Sequence, residues 1–153
     1  MPQVMLSNML QLVSSAQCNN DPDTRAGVLH PLRVMAGLKT NDMELNCIAL
    51  GHELLNKTTM PLRMIVEAGM SDRVLTALLL LKEASTLEET LDNICTSYDA
   101  MRVAQQCLLD RGALCNTIGL SREKTKVVRG YHESYMRVAD ALNEYDRRLV
   151  LSK

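Results

Sequence analysis

The stretch LHPLRVMAGLKTNDMELNCIALGHELLN, residues 29–56, carries the pattern that decides the fold of this chain. It predicts two successive helices, separated by a turn with capping residues. His30 stands just before the first helix, and the adjacent His52 and Glu53 stand late in the second. Two histidines and a carboxylate on packed helices can hold a divalent metal ion. The commoner alternative is a purely structural one, in which a histidine is hydrogen-bonded within the protein and the glutamate beside it lies at the surface.

The composition is that of a globular helical protein. The chain has 153 residues, of which 46% are hydrophobic and 23% charged, enough for one domain with a buried core. It contains no Phe or Trp, seven Gly and four Pro, so the core must consist mainly of aliphatic side chains in helices. We therefore expect a compact, single, all-α domain of seven to nine helices over residues 1–153.

Charge and cysteine content narrow the class of protein. The formal net charge of −1 argues against general nucleic-acid binding. The longest apolar run, residues 74–81, is too short to span a membrane. No Lys or Arg precedes Arg25, so the first residues lack the positive charge with which a signal peptide begins. The five cysteines form no C-x-x-C pair and are odd in number, so we expect reduced thiols and a cytoplasmic protein.

Local patterns set the expected helix boundaries. An amphipathic helix is predicted over residues 4–17, and the last helix over 122–150. Residues 72–83 are apolar on most sides, which predicts the central buried helix. Gly37 and Gly112 are expected to end the helices before them. The predicted N-caps are one of Thr40, Asn41 and Asp42, then Thr58 or Thr59, and then Ser71 and Thr86.

In this order, the motifs resemble the HD-domain superfamily of metal-dependent phosphohydrolases. The matching segments are LHPLRVM from residue 29, ALGHELLNKT from residue 49, EAGMSDRVLTALLLL from residue 67 and TLEET from residue 86. The chain is most similar to the RelA/SpoT-type branch, which removes the 3′-pyrophosphate from (p)ppGpp. The resemblance covers residues 14–145 and implies an HD-type fold.

The resemblance also implies a set of site residues. His30, His52 and Glu53 would bind a divalent metal, Mn²⁺ as in the branch or alternatively Zn²⁺. Arg25 resembles the arginine that contacts the nucleotide base. Apart from the resemblance, Arg102 and Arg111 can reach a phosphate near the site, and the alternative for each is an ordinary surface residue. The expected ligand is a nucleotide or another phosphorylated small molecule.

The catalytic positions depart from the pattern of the branch. The His-Asp motif of the branch is His52-Glu53 here, and the longer side chain moves the carboxylate by about 1.5 Å. The Glu-Asp pair that assists the attacking water falls on Asn56 and Lys57. A lysine beside the site would repel the metal cation.

The remaining metal ligand has two candidates. An ungapped match places Cys107 at the metal-binding aspartate of the branch, and a shift of one helical turn places Asp110 there. Both lie on one face of a helix. Cys107 can bind Zn²⁺ as a thiolate but suits Mn²⁺ poorly, and its structural alternative is a core cysteine.

Two function classes follow from this pattern. The first is a phosphohydrolase that acts on a guanosine polyphosphate or a related nucleotide. The second is a catalytically inactive HD-fold protein that binds a nucleotide or a partner protein, because fold alone does not establish activity.

Overall fold

The computed structural model describes residues 2–18, 28–116 and 122–152. These ranges contain helices and no strands, so the predicted all-α fold is confirmed for them. The nine helices in the described ranges are α1 Pro2–Cys18, α2 Leu29–Leu38, α3 Met43–Gly51, α4 Leu54–Lys57, α5 Leu62–Glu67, α6 Asp72–Leu81, α7 Leu87–Ile94, α8 Tyr98–Asn116 and α9 Arg122–Leu151. None of them combines the length and the apolar character that crossing a membrane requires.

Asp42, one of the three candidates for the start of α3, and the predicted caps Ser71 and Thr86 are confirmed. The cap predicted at Thr58 or Thr59 is wrong, because the N-cap of α5 is Pro61 and makes no side-chain hydrogen bond. The side chains of Asp42, Ser71 and Thr86 each accept a hydrogen bond from a backbone N–H two or three residues later. The first N–H groups of a helix have no partner within the helix, so each cap satisfies a donor that would otherwise need water. These caps fix where α3, α6 and α7 begin.

Helix α3, and not the predicted segment 72–83, is the centre of the core. All residues from 45 to 51 are buried, and α3 packs against α1, α2, α6 and α8. Helix α6 is instead amphipathic, with Leu78 buried and Leu79 half exposed. The Leu-rich run indicated a buried helix, but burial depends on how many neighbours surround the helix.

Two glycines mark close helix packing. At Gly51 a Cβ atom would lie 2.8 Å from the side chain of Met9, so its absence lets α1 approach the end of α3. At Gly37 a Cβ atom would collide with Gln106 of α8. Gly37 does not end α2 as predicted, because the helix continues to Leu38 and its cap is Lys39, with φ of 49°. Helix α8 likewise continues beyond Gly112.

Arg73 joins the beginnings of three helices. Its guanidinium donates to Asp42 at 2.8 Å and to Glu44 at 3.0 Å, both at the start of α3. It also donates to Asp99, in the first turn of α8, at 2.8 Å. The hydrogen bonds from Arg73 hold the pKa of Asp42 below its ordinary value. One cation therefore bridges three carboxylates and offsets part of their mutual repulsion.

Arg73→Gln is expected to lower the free energy of unfolding by about 1–2 kcal/mol, because it leaves three neighbouring carboxylates without their cation. Arg63→Gln is the matched control, since Arg63 makes one exposed pair with Glu67. Its effect should stay below about 0.5 kcal/mol. Urea denaturation followed by circular dichroism measures both, and equal losses in the two variants would contradict this role for Arg73.

Candidate metal centre

The predicted second helix is interrupted at its polar pair. Helix α3 ends at Gly51, His52 and Glu53 form a turn, and α4 begins at Leu54. The last carbonyl groups of a helix lack partners within it. His52 Nδ1 donates to one of them, the carbonyl oxygen of Ala49, at 2.6 Å. The end of α3 thus holds the His52 side chain in the interior.

His52 presents a free lone pair inside the protein. A carbonyl oxygen only accepts, so Nδ1 carries the proton and the neutral ring has its lone pair on Nε2. Burial lowers the pKa of His52 to about 4, so the ring is neutral near pH 7. Nε2 is buried and has no hydrogen-bond partner among the described residues. A buried nitrogen of this kind is suited to a metal ion.

The ring of His30, in the first turn of α2, is also held by an acceptor at Nδ1. Its Nδ1 lies 2.5 Å from a carboxylate oxygen of Asp110, whose other oxygen accepts from Arg33 Nε at 2.7 Å. Burial raises the pKa of Asp110, but the hydrogen bonds from Arg33 and His30 outweigh it and the pKa lies below its ordinary value. The ionised carboxylate accepts, so His30 Nδ1 donates and Nε2 faces the other way. The sequence analysis assigned no role to Arg33, although it stands on the His30 face of α2.

Cys107 of α8 completes a cluster with the two histidines. Its sulfur lies 3.4 Å from His30 Nε2. One ligand atom from each of His30, His52 and Cys107 lies within 4.8 Å of the other two, so this cluster can hold a metal ion. The two candidates for the last ligand take different places: Cys107 faces Nε2 of His30, and Asp110 holds Nδ1.

The donor atoms fit a thiophilic divalent ion. Adjacent ligand atoms in a tetrahedral zinc site are about 3.5 Å apart, so the cluster needs only a small contraction. The unpartnered Nε2 of His52 is the atom that such an ion would satisfy. Burial raises the pKa of the Cys107 thiol, and the charge of Arg111 opposes that rise. Metal binding would have to release the thiol proton, which makes the affinity pH-dependent.

Glu53 and Arg111 form an ion pair beside the cluster. One Glu53 oxygen lies 3.6 Å from His30 Nε2 and accepts a hydrogen bond from Arg111. Burial lowers the pKa of Arg111, but the charges of Cys107 and Glu53 and a hydrogen bond to Tyr131 raise it above its ordinary value. The guanidinium is therefore a permanent cation next to the cluster.

Asn56, another expected site residue, is not part of the cluster. The Asn56 amide donates to the carbonyl of Leu81 at 3.1 Å and accepts from the N–H of Glu83 at 2.8 Å. It therefore ties α4 to the end of α6. Arg25 and the side chain of Lys57 lie outside the described residues.

Metal-free protein is expected to lose stability through His52 as the pH falls from about 6.5 to about 4. The folded pKa of about 4 lies below the ordinary value of 6.5, so in this window the unfolded chain binds a proton that the folded protein excludes. The contribution is complete above pH 6.5 and is lost toward pH 4. Urea titrations in EDTA should give a steeper fall for the wild type than for His52→Gln.

His132→Gln is the matched control, because His132 is exposed on α9. It should retain the wild-type pH dependence. Identical pH dependence in the wild type and His52→Gln would contradict a buried neutral histidine.

Comparisons with known proteins leave the family open. Neither the models of known protein families nor the sequences of curated proteins match this chain. The geometry of the site therefore carries the functional argument.

Proposed function

We propose that this chain is an HD-type metal-binding protein that acts on a phosphorylated small molecule. The observation that carries the proposal is the convergence of His30, His52 and Cys107, whose ligand atoms lie within 4.8 Å of one another. Each imidazole is oriented by an acceptor on its other ring nitrogen, as metal-binding histidines usually are. The three residues follow the chain order that the resemblance implies.

The donor set favours Zn²⁺ over the Mn²⁺ of the similar branch. Two imidazole nitrogens and a thiolate are ligands of zinc, whereas manganese prefers oxygen. Three protein ligands also leave a position open, as in catalytic zinc sites. A divalent metal bound here would lower the pKa of a coordinated water and bind phosphoryl oxygens.

Two further residues suit phosphate chemistry. Arg111 supplies a partly buried guanidinium, a group that can bind phosphate oxygens through directed hydrogen bonds. Glu53 supplies a carboxylate beside the cluster, which can accept a proton from an attacking water. Guanosine polyphosphates are the first substrates to test, because the resemblance implies a 3′-pyrophosphohydrolase.

The hydrogen bonds that Asn56 and Glu53 already make favour a second function, which is binding without turnover. Asn56 replaces an acid of the similar branch, and both ends of its amide hold backbone groups. Glu53 is already engaged by Arg111. In this alternative the chain holds a nucleotide, or docks on a partner protein, without cleaving a bond.

Protein dialysed against Zn²⁺ is expected to retain about one equivalent of metal per chain. His52→Ala and Cys107→Ser each remove a ligand atom and should abolish retention. Cys95→Ser is the matched control, because Cys95 is a partly buried free cysteine outside the cluster. Mass spectrometry of gel-filtered samples gives the metal content. Loss of metal from the wild type, or retention by His52→Ala, would contradict the assignment.

Metal-loaded protein is expected to hydrolyse a phosphorylated small molecule, and guanosine tetraphosphate is assayed first because the resemblance implies it. Glu53→Gln should keep the metal but lower the rate by about 10²–10⁴-fold, because it removes the proton acceptor. His30→Ala should lose both metal and activity. Chromatography of the products measures the rate. Calorimetric binding of the nucleotide without any product would establish the second function and defeat the first.

A further inference from the structure

A cavity of about 340 Å³ adjoins the candidate metal centre. His52 and Cys107, two of the three cluster residues, are in its lining, together with Glu53 and Arg111. The far part of the lining comes from α7, where Leu87 is exposed and Leu91 and Ile94 are buried. The cavity thus joins the polar side chains at the cluster to an apolar wall that includes the exposed Leu87.

Two buried polar atoms at the cluster end have no partner. His52 Nε2 and Arg111 Nε are both inaccessible to solvent and make no hydrogen bond with the described residues. Leaving a buried donor or acceptor without a partner is costly. A ligand that brings an oxyanion and, with it, a metal ion would satisfy both atoms.

The polar groups of the wall are occupied by the protein itself. Both ends of the Asn56 amide hold backbone groups, as described above. The Thr90 hydroxyl donates to the carbonyl of Thr86 at 2.9 Å and accepts from the N–H of Ala84 at 3.0 Å. Among the described lining residues away from the cluster and the exposed rim, the other polar side chains are Ser134 and Tyr131, whose hydroxyl forms a hydrogen bond with Arg111. The apolar ones are Leu81, Leu91, Ile94, Ala104 and Leu108.

We propose that the ligand is a phosphate monoester with an aliphatic body, its phosphate at Arg111 and the metal centre and its hydrocarbon against α7 and α8. The position of the phosphate depends on the proposed function, and the aliphatic body is inferred from the lining of the cavity. A purine carries several donors and acceptors on its edges, and burying them without partners is costly. The described wall offers few partners, and Tyr131 is the only aromatic side chain in it. An alkyl chain needs neither hydrogen bonds nor stacking.

The test compares octyl phosphate, butyl phosphate, inorganic phosphate and guanosine monophosphate by calorimetry on zinc-loaded protein of measured metal content. Each buried methylene strengthens binding by about fourfold. Octyl phosphate should therefore bind at least about tenfold more tightly than butyl phosphate, even if part of its chain stays in solvent. It should also bind more tightly than guanosine monophosphate.

The variant Leu87→Ser tests whether the hydrocarbon chain of the ligand lies against α7. Leu87 is 63% exposed and lines the cavity, whereas Leu79 is 49% exposed on α6 and does not. Both positions tolerate a polar side chain because they are at the surface. Leu87→Ser should weaken octyl phosphate severalfold and leave inorganic phosphate unchanged, and Leu79→Ser should change neither.

The outcomes separate this inference from the proposed function. Binding of phosphate without a preference for octyl over butyl phosphate, or tighter binding of guanosine monophosphate, overturns the aliphatic body and leaves the metal centre standing. A chain-length preference without any metal in the protein keeps the hydrocarbon site and overturns the proposed function. Failure of every phosphate to bind overturns both.

Discussion

The carbonyl oxygen of Ala49 lies in the last turn of α3, in the protein interior, where an acceptor without a donor costs about 1–3 kcal/mol. His52 Nδ1 supplies the donor at 2.6 Å. This bond has two effects. It satisfies the end of the most buried helix, and it turns the lone pair of His52 Nε2 toward His30 and Cys107. The interaction that satisfies the end of the most buried helix therefore also places a metal-binding atom in the interior.

The charged groups around the cluster of His30, His52 and Cys107 are paired, which allows these polar side chains to lie in the protein interior. Ionised groups are stable away from water only when they are paired. Asp110 is paired with Arg33 on one side of His30, and Glu53 is paired with Arg111 on the other. The ring of His52 is neutral, since burial lowers its pKa to about 4. A thiolate at Cys107 and a divalent cation would add one net positive charge to this balanced set.

Local sequence patterns predicted the all-α class and the helix starts, because a cap such as Ser71 bonds to its own helix. They also placed Cys107 and Asp110 on one helix face. They did not distinguish the two, because the answer depends on which nitrogen of His30 each one meets, and His30 is 77 and 80 residues away. The structural role of Asn56 was missed for the same reason, since its partners lie 25 and 27 residues along the chain.

The pairing of Arg111 with Glu53 bears differently on binding and on catalysis. A guanidinium has five N–H donors, and Arg111 uses one of its terminal nitrogens on Glu53 while its Nε has no partner. It can therefore hold Glu53 and an oxyanion together, so the pair is no obstacle to binding phosphate. The Glu53 oxygen that accepts from Arg111 is, however, the one that lies near His30. Arg111 already uses part of the accepting capacity of that oxygen, so a water at the cluster must use the remaining lone pairs of the Glu53 carboxylate. Catalysis therefore competes with the ion pair for Glu53, whereas binding of phosphate does not.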